Sequence, residues 1–178
     1  IIPETTKERY PKSWYTENNS LKIDSLPSGP HASIAFLYTF NNNITIDFYL
    51  KSLSEVVNLL VYFLESEKSI IIGNGNNYTN WILYGDNKGE QGENFLIEPD
   101  HQYRVRIVRD NFIYKLFIKK VDDKKINNIV DVFSNSDPIL NFIDEDPIIE
   151  DDHMGFALWG GSGGVEINNL VITGYAIY

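Results

Sequence analysis

The chain has 178 residues, 43% of them hydrophobic and 13% aromatic, with 25 acidic against 15 basic residues and a formal charge of −10. This length supports one domain with a substantial core, and no apolar run approaches the ~20 residues a membrane-spanning helix needs, so membrane insertion is not expected. The absence of cysteine excludes disulfides and thiolate metal sites, and the negative charge argues against nucleic acid, whose phosphates select a basic surface.

Residues 1–30 mix Pro3, Pro11, Trp14 and several charges without a helical period, and are expected to form an N-terminal arm or edge segment of a single domain over residues 1–178. Residues 33–40 read as a strand, Asn41, Asn42 and Asn43 as a turn, and residues 44–50 as the next strand of a meander. Ile44, Ile46, Phe48 and Leu50 alternate with Thr45, Asp47 and Tyr49, the period of two that marks a half-buried strand.

Residues 58–64 carry a buried-strand composition, although the wider stretch 54–67 has some helical character. The β-branched run 69–73 and residues 80–84 form an expected hairpin about an asparagine- and glycine-rich loop. A polar loop follows over residues 85–94. Residues 103–109 and 112–118 alternate cleanly about a two-residue turn at Asp110 and Asn111. Arg104 and Arg106 share the face of Val108 rather than that of Val105 and Ile107, which reads as a solvated strand face.

Residues 137–152 are acidic and broken by proline, so a loop is expected there. The last segment, 153–172, has two strand-like runs joined by Gly160, Gly161, Gly163 and Gly164, and it reads as a closing hairpin. Asn168 and Asn169 interrupt the alternation of Val165, Ile167, Leu170 and Ile172, and a bulge at that pair would restore one buried face. About ten strands and no long helix define an all-β fold, an antiparallel β-sandwich of the jelly-roll, concanavalin-like kind.

Few motifs carry catalytic chemistry. The run from Ile70 to Gly73 followed by Asn74, Gly75, Asn76 and Asn77 has the opening of a cofactor loop, but strand-like residues stand where such a loop requires a helix. His31, His101 and His153 lack metal-ligand spacing, and no serine sits in a G-x-S-x-G elbow. A glycosidase pair would place two acids on one strand face, whereas Asp47 stands alone on its strand. No catalytic residue is assigned.

Two groups remain. Asp144, Asp146, Asp151 and Asp152 crowd carboxylates into one stretch that could gather around calcium, although the spacing is not that of a helix-loop-helix calcium site. Asn74, Asn76, Asn77, Trp81, Tyr84 and Asp86 gather flat aromatic faces and hydrogen-bonding groups at one expected hairpin, with Trp159 beside the glycine loop. Sugars are recognised by that combination, because a pyranose offers an apolar face and a rim of hydroxyls. The expected partner is therefore a glycan or, alternatively, a protein ligand. Three sequons, beginning at Asn18, Asn43 and Asn77, accord with an extracellular or secretory setting.

Residues 44–52, 58–61, 69–77 and 155–164, together with the Asp137 and Pro138 step, resemble the farnesoic acid O-methyltransferase-type domain over roughly residues 40–170. The sequence departs from that pattern at Asn74, where the family has a second glycine, and at Asn80 and Trp81, where it has a serine. The resemblance implies an all-β, lectin-type sandwich within the concanavalin-like and laminin-G-like class. It does not imply methyl transfer, which would need a parallel sheet and a glycine loop. The resulting expectation is a noncatalytic carbohydrate-binding or adhesion module, with a protein-interaction module or a glycoside hydrolase as alternatives.

Overall fold

The computed structural model describes residues 14–23, 32–35, 39–54, 57–63, 68–73, 81–84, 88–93, 95–121, 132–145, 156–160 and 163–177. Among them are thirteen strands and no helix: β1 (Tyr15–Glu17), β2 (Ser20–Ile23), β3 (Ala32–Ala35), β4 (Thr39–Ser52), β5 (Asn58–Phe63), β6 (Lys68–Gly73), β7 (Trp81–Tyr84), β8 (Lys88–Gln91), β9 (Gln102–Asp110), β10 (Ile113–Val121), β11 (Leu140–Ile143), β12 (Phe156–Gly160) and β13 (Val165–Ile177). They form two antiparallel sheets. One has seven strands in the order β1-β2-β13-β4-β9-β10-β11, and the other has six in the order β3-β12-β5-β6-β7-β8.

The alternation in the sequence becomes the core. Ile44, Ile46, Phe48 and Leu50 of β4 and Tyr103, Val105 and Ile107 of β9 are buried, as are Tyr114, Leu116 and Ile118 of β10. Leu59, Val61 and Phe63 of β5 and Ile70 and Ile72 of β6 close the core from the six-stranded sheet. Phe63 meets Tyr114 edge to face across the two layers, with ring centroids 5.5 Å apart. Each such side chain contributes roughly 1.5–3 kcal/mol through burial, which is the main source of stability in a chain without cysteine.

The expected bulge occurs one residue further on, at Asn169 and Leu170, while Asn168 keeps its pairing with Tyr49. The β13–β4 register shifts between Asn168 and Val171, and Asn169 takes a φ of 50°, a left-handed conformation that asparagine tolerates. The shift returns Leu170 and Ile172 to the core side, where both pack partly buried.

Four local expectations are corrected. The glycine-rich closing segment is not a hairpin, because β12 pairs with β3 and β5 while β13 pairs with β2 and β4 in the other sheet. Its connection crosses between layers, with Gly163 at a φ of 125° and the Gly164 carbonyl accepting from Leu53 N at 2.9 Å. Likewise β3 and β4 lie in different sheets rather than in a meander, and Asn41, Asn42 and Asn43 lie inside β4. There they absorb a second register shift, between the pairs Ile44 with Gly174 and Phe40 with Ala176. The β9–β10 turn falls one residue later than expected, at Asn111 and Phe112, because Asn111 adopts the positive φ, 52°, that the turn requires. Finally, β8 and β11 lie in stretches read as loops. β8 pairs with β7 through the polar run Lys88–Gln91, and β11 pairs with β10 while burying Leu140 and Phe142 in the core.

Candidate functional site

Among the described residues, polar side chains converge on the outward face of the seven-stranded sheet. Antiparallel register places Asp47 opposite Arg106 and Tyr49 opposite Arg104. Nε of Arg104 donates to Asp47 Oδ1 at 3.0 Å, and Nε of Arg106 donates to Asp47 Oδ2 at 2.8 Å. Arg104 also donates through Nη1 to the Tyr49 hydroxyl at 3.1 Å, its guanidinium carbon lying 5.1 Å from the centre of that ring. Arg106 lies over Phe133 at 5.2 Å.

The cluster is half-buried, with Asp47 13% exposed and the two arginine side chains 25% and 22% exposed. Burial alone would make Arg104 easier to deprotonate, but hydrogen bonds to Asp47 and Tyr49 and the Asp47 charge outweigh it and hold the guanidinium above its ordinary value. Asp47 therefore acts as a fixed acceptor between two cations. Such a carboxylate organises its donors.

A second polar group continues the face toward β2. Asn168 is registered opposite Tyr49, and Glu166 is opposite Lys51 and Lys22. The Ser20 hydroxyl lies between Glu166, at 2.9 Å, and Asn168, with which it makes a short contact. Asn168 Nδ2 donates to Glu166 at 3.1 Å, and Lys22 lies 3.4 Å from the same carboxylate. Burial would raise the Glu166 pKa, but hydrogen bonds from Asn168 and Ser20 and the charge and hydrogen bond of Lys22 together hold it below the ordinary carboxylate value.

The expected aromatic site belongs to the other sheet. Trp81 is the first and Tyr84 the last residue of β7, while Trp159 lies on β12. Register aligns Ser33, Trp159, Leu60, Ile71, Trp81 and Gln91 in one row across all six strands. Its parity along β5 and β6 is opposite to that of the buried Leu59, Val61, Ile70 and Ile72. Two of the three tryptophans of the chain thus share a row three strand spacings apart, about 14 Å. Asn74, Asn76, Asn77 and Asp86 lie outside the described residues.

Of the carboxylates considered for calcium, Asp144 follows β11. It is buried, with its backbone N donating to the Phe112 carbonyl at 2.8 Å, whereas Asp146, Asp151 and Asp152 lie outside the described residues. No group of three or more metal-ligating side chains occurs among the described residues. The antiparallel pairing of β6 with β7 is unlike the parallel crossover that a strand-loop-helix cofactor site uses.

Sequence reasoning did not assemble the Asp47 cluster. Its signal was the two-residue spacing of Asp47 with Tyr49 and of Arg104 with Arg106, but it becomes legible only once β4 is known to pair with β9, more than fifty residues away.

No family model and no curated protein sequence matches the chain. Solved structures do share its fold. Carbohydrate-binding module CBM66 from Bacillus subtilis superposes with a TM-score of 0.61 at 8% identity over 89% of each chain. The exoplasmic/lumenal domain of VIP36, in a form bound to calcium and Man3GlcNAc, gives 0.60 at 7% identity over 93% of this chain and 82% of that one. The Caenorhabditis elegans galectin LEC-6 gives 0.51 at 10% identity over 85% of this chain and 95% of the galectin. Proteins described as glycosyl hydrolases are also similar, at 9% and 10% identity. At such identities the likeness defines the fold: a galectin-like, lectin-type β-sandwich.

Proposed function

We propose that the domain is a noncatalytic carbohydrate-binding or adhesion module of a secreted or surface protein, with its glycan lying across the six-stranded sheet. The observation that carries this reading is the row joining Trp159 and Trp81 through Leu60 and Ile71, at the parity opposite to the core positions. Tryptophans at two positions of that row, about 14 Å apart across three strand spacings, suit an extended oligosaccharide whose rings stack at separate points, with Asn74, Asn76, Asn77 and Asp86 as the proposed polar partners. Tyr84 is set apart from them, because it shares the parity of Ile82, the register partner of the buried Ile70. Lectin and carbohydrate-binding structures of the same fold support the class of ligand. The local resemblance to the farnesoic acid O-methyltransferase-type domain belongs to the same reading, as a lectin-type sandwich and not as a methyltransferase.

Calorimetric titration with a panel of soluble oligosaccharides tests it. Binding of at least one glycan is expected, weakened about tenfold by Trp81→Ala and by Trp159→Ala with circular dichroism unchanged, a loss of ~1.4 kcal/mol each. Affinity unaltered in both variants would overturn the placement of the site, and no binding across the panel would overturn the function.

A further inference from the structure

The outward face of the seven-stranded sheet has a charge opposite in sign to that of the chain as a whole. Three adjacent strands, β4, β9 and β10, present a register grid of nine positions: Thr45, Val108 and Lys115 in one row, Asp47, Arg106 and Phe117 in the next, and Tyr49, Arg104 and Lys119 in the third. Four cations and one carboxylate occupy this grid, in a chain where acids outnumber bases 25 to 15.

Within the grid the one carboxylate is shared between the two guanidiniums. Nε and Nη1 of Arg104 are committed to Asp47 and Tyr49, which fixes the plane of the group. Among the described residues its Nη2 has no protein partner, and Lys119 stands directly opposite Arg104 on β10, with its Nζ donating to the Val132 carbonyl at 3.3 Å. A planar cation held rigid by its other bonds, with a donor edge remaining and a second cation beside it, is suited to a carboxylate.

We infer that this grid is a second ligand site, specific for the carboxylate of a uronic acid sugar. It rests on the carbohydrate reading only in that the ligand is a sugar; it uses different residues, on the opposite sheet. Arg104 is the anchoring contact, Lys119 and Lys115 supply the surrounding field, and Asp47 is a positioning residue that keeps both guanidiniums in place. The local excess of cations draws an anion to this face against the net charge of the protein.

The test is calorimetric titration of the full chain with an oligogalacturonate, a neutral cello-oligosaccharide and a sulfated heparin oligosaccharide of matched length. Oligogalacturonate binding is expected to weaken about tenfold in Arg104→Lys and severalfold in Lys115→Glu, whose exchange leaves the Asp47 pairing intact, and to persist in Trp81→Ala and Trp159→Ala. It should also weaken with added salt. Oligogalacturonate affinity unchanged in both Arg104→Lys and Lys115→Glu would overturn the inference. So would binding of the neutral sugar alone, which would leave the proposed function standing. Equal affinity for the sulfated sugar would overturn the assignment to a planar carboxylate, and no binding of any of the three would overturn the inference together with the carbohydrate reading for these ligands.

Discussion

Asp47 on β4 and Arg106 on β9 face one another in register, Nε to Oδ2 at 2.8 Å, and the other oxygen of the same carboxylate takes Nε of Arg104 at 3.0 Å. One acid thereby ties two successive outward positions of the neighbouring strand. Asp47→Ala leaves two half-buried guanidiniums without their shared counter-ion, and is expected to cost about 1–3 kcal/mol, partial exposure keeping it below the figure for a fully buried pair. Urea denaturation checks this, with Thr45→Ala on the same face expected to cost much less.

Phe63 and Tyr114 are the clearest bridge between the layers, both fully buried and 5.5 Å apart between ring centroids. Phe63→Ala removes the contact and leaves a cavity that neighbouring strands cannot collapse to fill. A loss of about 3–5 kcal/mol is expected in the same denaturation experiment.

These two predictions differ in how far they could be read from the chain. The β4, β9 and β10 core positions follow from alternation alone, because a period of two dictates which side chains share a face, whereas Phe63 sits in the continuous apolar run 59–64 and is legible only as part of a buried strand. The bulge that follows Asn168 was legible for the same reason as those core positions, as a phase break in that period, to within one residue. What the sequence did not show is which strands pair. The run 156–160 and the run 165–177 look like one hairpin, yet they enter different sheets, since glycines permit a crossing as readily as a tight turn. The Asp47 cluster depends on that long-range pairing and was hidden with it. The tryptophan row was legible as composition but not as an alignment.

Gly92 marks a close approach of two backbones. A Cβ added there would run into the Ile139 carbonyl, which also accepts from Glu93 N at 2.6 Å. Gly92→Ala must displace the backbone leading into β11, and is expected to lower stability by about 1–3 kcal/mol. Amide hydrogen exchange in β11 should accelerate more than in β5.

Glu166 contributes a pH dependence whose sign follows from its environment. Hydrogen bonds from Asn168 and Ser20, with Lys22, outweigh burial and hold its folded pKa below the ordinary value near 4.5. The associated stability is therefore complete above that value and is lost as the pH falls through the lower, folded one. Glu166→Gln should narrow its stability gap to the wild type as the medium is acidified below about pH 4.5, with the gap widest near neutrality. Urea midpoints across a pH series measure it.

A glycan array probed with the labelled domain tests the carbohydrate reading most directly. The account predicts selective binding to a restricted set of glycans, diminished in parallel by Trp81→Ala and Trp159→Ala. An array without a reproducible signal from the correctly folded protein would contradict it.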